Sequence, residues 1–212
     1  MLTKGWLRRY NRDGSVAWDK TFQFASDVPL YGIAWFGSDL LLGGYAPFAP
    51  PDPTLGLRLI RVKGDGSPVW NKAVGGGKNE VMASLAVRKI PGKGDDIVVT
   101  AWRLASSPGG WEPSLGMRVY ALDGEGVTTA AWQADGKFSP GGLVTLPDGG
   151  VLFATVAADY KGFELVRLDA GLAQATWQPI AYGGNPWAKS VAGVEVRADG
   201  SVLLFANTAQ VN

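Results

Sequence analysis

The chain has 212 residues, 46% hydrophobic and 18% charged, with 20 Lys and Arg against 19 Asp and Glu for a formal charge of +1. That apolar fraction supports a packed core and excludes a disordered chain, and a near-neutral charge without any Lys/Arg run gives no electrostatic ground for a nucleic-acid or anionic-membrane partner. The complete lack of histidine and cysteine excludes Ser-His-Asp triads, Cys-His pairs, disulfides and His- or Cys-bound zinc.

In chain order, residues 5–18 (GWLRRYNRDGSVAW) read as two strand-like runs joined at Asp13-Gly14 and ending in Trp18. Residues 31–45 (YGIAWFGSDLLLGGY) form a more apolar hairpin, and residues 56–70 (GLRLIRVKGDGSPVW) repeat the first type, with Asp65-Gly66 at the turn and Trp70 at the end. The two types then alternate: apolar 84–102, tryptophan-ending 116–132, apolar 142–156, tryptophan-ending 162–177, apolar 193–207. Trp18, Trp70, Trp132 and Trp177 thus recur at intervals of 45 to 62 residues. No segment sustains apolar spacing at i, i+3, i+4, i+7, and 30 glycines and 13 prolines interrupt the chain.

An apolar inner hairpin followed by an outer hairpin makes a four-stranded sheet, and four such sheets set radially make an all-β, four-bladed β-propeller. The blades run over about 31–73, 83–133 and 142–178, with the fourth built from 191–212 plus 1–20. The whole chain, 1–212, is read as one domain. The second strands of the inner hairpins, LLLGGY, IVVTAW, VLFATV and VLLFAN, are apolar throughout and should be covered on both faces. Outer strands alternate more, as Leu57 and Leu59 do around Arg58, and should be partly buried. The chain starts with an outer hairpin and finishes with an inner one, so pairing of 5–20 beside 201–206 closes the ring and hides the sheet edges. The competing arrangement is an arc of a larger propeller, cut from a longer chain or completed by a second copy.

The pattern of apolar strand, Arg-x-x-x-Asp-Gly, then Trp is carried by Arg9, Asp13, Gly14 and Trp18 and again by Arg61, Asp65, Gly66 and Trp70. It resembles bacterial propeller repeats of the SBBP and delta-60 type, and more distantly the tryptophan-docking repeat of quinoprotein propellers. The Asp-to-Trp distance lengthens in the later units (Asp123 to Trp132, Asp169 to Trp177). The first resemblance implies binding and scaffolding. The second would imply a redox enzyme with a metal and cofactor in a central funnel, but no residue here matches such a site, so no cofactor and no metal are expected.

With histidine and cysteine gone, paired carboxylates are what remains for catalysis, and Asp95, Asp96, Glu112, Asp159 and Glu164 are possible members of a glycosidase pair, none singled out by spacing. The Asp-Gly segments NRDGS, VKGDG, LPDGG and RADGS supply too few oxygens for a calcium loop and read as hairpin turns. Gly75, Gly76, Gly77 and Lys78 lack phosphate-loop spacing and recur as Gly183, Gly184 and Asn185, so they read as turns between blades. Trp18, Trp70, Trp132 and Trp177 are assigned to packing between blades, and Trp35 and Trp102 to the core.

Tight Asp-Gly turns occupy one face of the ring, and the long segments 21–30, 46–56, 74–83, 103–116, 133–142 and 178–190 occupy the other. Phe48, Trp111, Phe138, Tyr160, Tyr182 and Trp187 lie in or beside these segments, outside the repeat pattern. They are equally readable as a binding surface and as a plug over the ring. The function expected is a non-catalytic scaffold presenting this face to a protein partner within a larger assembly. The alternative is a carbohydrate-binding propeller in which Trp111, Trp187 or Tyr160 stacks on sugars, with a glycoside hydrolase behind it. No stretch approaches the ~18 apolar residues of a membrane span and the start lacks a signal-peptide core. A soluble chain without membrane insertion is therefore expected, in a compartment left open, extracellular and virion-associated settings included.

Overall fold

The computed structural model describes residues 4–23, 30–47, 55–76, 79–104, 114–136, 139–157, 161–180 and 186–210. All regular structure in them is β. Blade one is a four-stranded antiparallel sheet of β3 (Leu30–Phe36), β4 (Asp39–Pro47), β5 (Leu55–Val62) and β6 (Pro68–Val74). Blade two comprises β7 (Glu80–Ile90), β8 (Gly94–Leu104), β9 (Ser114–Leu122) and β10 (Thr128–Asp135). Blade three comprises β11 (Ser139–Thr145), β12 (Val151–Val156), β13 (Phe163–Leu168) and β14 (Ala175–Ile180). The fourth blade is divided: its outer half is β1 (Lys4–Tyr10) with β2 (Val16–Gln23), and its inner half is β15 (Pro186–Val196) with β16 (Val202–Gln210). The protein is an all-β, four-bladed propeller with the N-terminal hairpin supplying the outer part of the last blade.

Packing between blades forms the core. Leu41, Leu57 and Leu59 of blade one meet Ile97, Val99 and Leu122 of blade two, with Trp70 packed at the margin. Val98, Met117 and Val119 of blade two meet Val151, Phe153 and Val166 of blade three, with Trp132 at the margin. Trp132 lies edge-on to Phe153 at 6.3 Å and tilted against Trp177 at 5.9 Å, which spreads one large apolar side chain over two sheets. In blades one to three the second strands are the most buried, β12 without interruption, as a strand covered on both faces requires. The third strand β5 is buried further than its alternation suggests, with Leu57, Leu59, Ile60 and Val62 all covered, because neighbouring blades seal both of its faces. The fourth strands β6, β10 and β14 are largely solvated.

The Asp-Gly segments are hairpin turns. Asp13, Asp65 and Asp199 each accept the backbone N–H two residues on, from Ser15, Ser67 and Ser201, at 2.9, 2.8 and 2.9 Å, and Gly14 and Gly66 take φ of +84° and +83°, where glycine carries no Cβ penalty. The recurring arginine acts across the blades. Arg9 Nη1 donates to the Gly64 carbonyl at 2.8 Å and Arg61 Nη1 to the Gly124 carbonyl at 2.9 Å, each in the turn of the following blade. Trp18 Nε1 also donates to Gly64 O, at 2.9 Å. In blade two Arg88 does the same work from an inner strand, donating to Gly149 O of blade three at 2.9 Å and to Asp96 at 3.1 Å, with both charged groups buried.

The inner strands pack in series, β3 on β7, β7 on β11 and β11 on β15, while β15 and β3 make no comparable contact among the described residues. The β11–β15 approach is backbone to backbone: a Cβ on Gly141 would lie 2.3 Å from Val191 O, and one on Gly142, at φ +59°, 2.4 Å from Val194 N. The pairing expected between 5–20 and 201–206 is where the structure differs. Among the described residues β1 pairs with β2 and β15 with β16, as two separate two-stranded sheets. Each half is seated by side-chain packing on its own neighbour. Leu7, Trp18 and Phe22 rest on Leu40, Leu42, Ile60 and Val62 of blade one, and Val191, Val194 and Leu204 rest on Leu152, Ala154, Val156 and Phe163 of blade three. Burial on these flanks, rather than edge pairing, fixes where the two halves stand.

Candidate functional site

Because each blade packs on the next, every blade has a leading face toward its predecessor and a trailing face toward its successor. The division of the fourth blade leaves two faces uncovered at each end of the series.

At the first end, β3 turns Tyr31, Ile33 and Trp35 to solvent, at 55%, 58% and 53% exposure. The strand alternates regularly, and its other set of side chains is half-buried. Trp35, assigned to the core from sequence, is thus a surface residue, because among the described residues no inner hairpin packs over it. Tyr31 stacks on Tyr45 with ring centroids 5.4 Å apart and planes at 17°, and the guanidinium of Arg9 sits 5.7 Å from the Trp35 ring. Burial, then the neighbouring Tyr31, pushes the Tyr45 phenol up to about 12. On β1 the side chains that alternate away from blade one are Trp6, Arg8 and Tyr10. Trp6 Nε1 donates to Asp19 Oδ1 at 2.6 Å, and Arg8 pairs with the same carboxylate and covers the Trp6 ring at 4.6 Å. Tyr10 is 56% exposed, whereas the residues at its place in the repeat, Val62, Leu122 and Leu168, are fully buried.

At the other end, the segment VLLFAN of β16 has the composition of the buried second strands, yet Phe205 is 56% exposed. Its counterpart in blade three, Ala154, is fully covered. The expectation that this strand is covered on both faces therefore fails on one side, since β16 is a sheet edge with one face on blade three and the other on solvent. Beside it a groove of about 510 Å³ runs between blade three and the last hairpin, lined by Leu152, Leu165, Trp177, Val196 and Val202 among others. Trp177, at 38% exposure, is the most exposed of the four repeat tryptophans; each of the other three lies beside the outer hairpin of the following blade. Trp102, also assigned to the core, is half-buried and donates from Nε1 to Pro140 O of the next blade at 3.0 Å.

A second, polar cluster sits on the long-loop side of blade two. Glu80, the first residue of β7, is wholly buried. The Tyr120 hydroxyl lies 2.8 and 2.9 Å from its two carboxylate oxygens, and Arg118 Nη1 donates to Oε1 at 2.8 Å. Arg118 Nε is held in turn by Gln133 Oε1 at 3.1 Å, and Arg103 pairs with Asp135 alongside. Burial, then the Glu80 carboxylate, pushes the Tyr120 phenol up to about 12. A carboxylate clamped by a phenol and a guanidinium is a rigid anchor for the ends of the strands that carry the loops.

Of the residues expected on the binding face, Phe48, Trp111, Phe138, Tyr160 and Tyr182 lie outside the described residues, and Trp187 is placed only by its backbone, in β15 opposite Ala209. Lys78, Glu112 and Asp159 and the 183–185 segment lie outside as well. Asp96 is tied to Arg88, and Asp95 and Glu164 stand on different blades. Among the described residues no group of three or more Asp or Glu side chains is gathered in metal-binding geometry, and no helix is long and apolar enough to cross a membrane. Sequence reasoning missed Glu80 and the whole uncovered surface. Glu80 carries no local signal, and its partners Arg118 and Tyr120 are recognisable only through strand register; the surface was signalled by the lone VLLFAN edge.

No protein-family model and no curated protein sequence matches the chain. Solved structures do, in fold alone. The Dos1 propeller aligns with 94% of this chain and 46% of its own at 11% identity and a TM-score of 0.61. A Bacteroides caccae protein of unknown function aligns over 92% and 59% at 13% identity and 0.53. A Synechocystis apocarotenoid oxygenase mutant, Trp149Ala in its own numbering, aligns over 96% and 49% at 12% identity and 0.54. The chain therefore spans about half the length of the structures it matches. The likeness establishes a propeller-like fold shared by enzymes and other proteins, and is not specific to the SBBP or delta-60 repeats.

Proposed function

We propose that this propeller is a non-catalytic scaffold that works by binding protein partners within a larger assembly, through its long-loop side and the uncovered faces of its divided blade. The observation that carries the reading is the row Tyr31, Ile33 and Trp35, each more than half exposed on one face of one strand. Contiguous exposed aromatic and aliphatic side chains of this size favour a protein interface, since aromatics bring large contact area at small entropic cost. The fold contributes rigidity: strands sealed on both faces hold this surface fixed, and the Glu80 anchor holds the loop side.

The test is a photo-crosslinking amino acid placed at Tyr31, with the same group at Asp65 in a tight turn as control, in the protein expressed in its native source. Protein adducts at position 31 and none at 65 are the expected result. No adduct at 31, together with binding of the purified protein to a glycan array that Trp111→Ala abolishes, would replace the scaffold by a carbohydrate-binding propeller.

A further inference from the structure

We propose that a second copy of this chain covers the uncovered faces, so that two four-blade arcs close head to tail into a ring of eight blades. The proposal rests on the scaffold reading and names one partner for it.

The surfaces match as the halves of one blade should. Strand register in the complete blades sets what β16 must meet: Leu41 lies opposite Arg61 in blade one, and Leu152 opposite Arg167 in blade three. The equivalent pair is Leu203 with Arg9 of the second copy, followed by Phe205 with Leu7. In that register Phe205 falls on the same side as Leu7, the side that faces blade one, and lands on the second copy's Tyr31, Ile33 and Trp35. The opposite side of β1, with Trp6, Arg8 and Tyr10, then enters the groove beside Leu165 and Trp177. Two charge contacts repeat as well. Arg61 Nε donates to Asp39, the first residue of β4, at 2.8 Å, and Arg167 pairs with Asp148 in the turn before β12, so each outer strand binds its own inner hairpin close to the turn. The corresponding pair across the joint is Arg9 with Asp199. Trp18 donates to Gly64 O in the following turn, and the corresponding contact for Trp177 is the backbone carbonyl of Arg12 in the second copy.

The second copy, rather than the chain's own N-terminal hairpin, is favoured by the packing of the inner strands. β3, β7, β11 and β15 pack in series, and among the described residues β15 makes no comparable contact with β3, which leaves the faces of β16 and β3 open to a second copy. The chain overlays 46% of the Dos1 propeller. Two arcs give eight blades, within the 4–8 known for propellers. The contact is heterologous, and a two-fold axis closes it because each copy supplies one β16 edge and one β1 edge.

The test uses the cysteine-free chain of 212 residues. Light scattering should give twice the chain mass of 22.4 kDa. Arg9→Cys chains mixed with Leu203→Cys chains should yield a disulfide-linked heterodimer on mild oxidation, while neither chain alone links to itself, since directly opposite strand positions are within disulfide reach. Phe205→Asp, which leaves backbone pairing intact, should weaken the dimer by about tenfold or more. A monomer of single-chain mass, or a double Arg9→Cys/Leu203→Cys chain that links within itself, overturns the two-copy ring. Either result leaves the scaffold reading to be decided by the crosslink at Tyr31.

Discussion

Replacing Asp96 by alanine should be among the most damaging single changes in the molecule. Arg88 and Asp96 are buried together, with Arg88 Nη2 3.1 Å from Asp96 Oδ2 and Arg88 Nη1 2.9 Å from Gly149 O in blade three. Removing the carboxylate strands a guanidinium where water does not reach, and breaking one partner of a buried pair costs about 3–5 kcal/mol. For a domain of this size, with each kcal/mol moving the melting temperature by about 2–4 °C, the midpoint should fall by roughly 6–20 °C. Urea unfolding followed by the fluorescence of the nine tryptophans measures the loss directly. Asp148→Ala, which removes the carboxylate opposite half-exposed Arg167, should cost much less through its ion pair, about 0–1 kcal/mol. The double variant Arg88→Met/Asp96→Leu should recover most of the stability, because no buried charge then stands alone. An Asp96→Ala loss below about 1 kcal/mol, or a double variant no better than the single, would refute the reasoning.

Tyr120→Phe should cost about 1–3 kcal/mol in urea by leaving the buried Glu80 carboxylate short of a donor. Alkaline stability follows from the same phenol: its folded value of about 12 lies above the ordinary 10, so its contribution is full below pH 10 and is lost as pH rises through 12, which a spectrophotometric titration against unfolding checks. Asp13, Asp65 and Asp199 are held below the usual carboxylate range by serine hydrogen bonds, the Ser15 and Ser201 side chains foremost for Asp13 and Asp199 and the Ser67 backbone for Asp65. Their turns should therefore loosen as pH falls below about 4, seen as faster amide exchange at Ser15, Ser67 and Ser201. Gly142→Ala should lower the melting temperature sharply, since its Cβ meets Val194 N at 2.4 Å at a φ of +59°.

The propeller was legible because its signals are local and repeated. Asp13-Gly14 and Asp65-Gly66 announce turns by chemistry that the structure repeats atom for atom, and an apolar run such as VLFATV has no stable place except between two layers. Trp35 and VLLFAN were misplaced by the same logic. Their positions in the repeat demand cover, but cover is supplied by another blade, and no pattern within a strand says whether that blade stands in place. The repeated arginines were visible as a motif without a role, since their acceptors Gly64 and Gly124 are 55 and 63 residues away. Glu80 was illegible for a related reason: a lone acid after a glycine-rich turn looks solvated until register brings Tyr120 and Arg118 beside it.

The most direct measurement is amide hydrogen exchange of β1 and β16 in the protein as isolated from its source, with β4 as the internal standard for a strand paired on both sides. If the divided blade is a binding surface, residues 202–208 and 4–10 exchange as slowly as β4 and quicken together on dilution. Exchange at the rate of free sheet edges at every concentration would contradict the account.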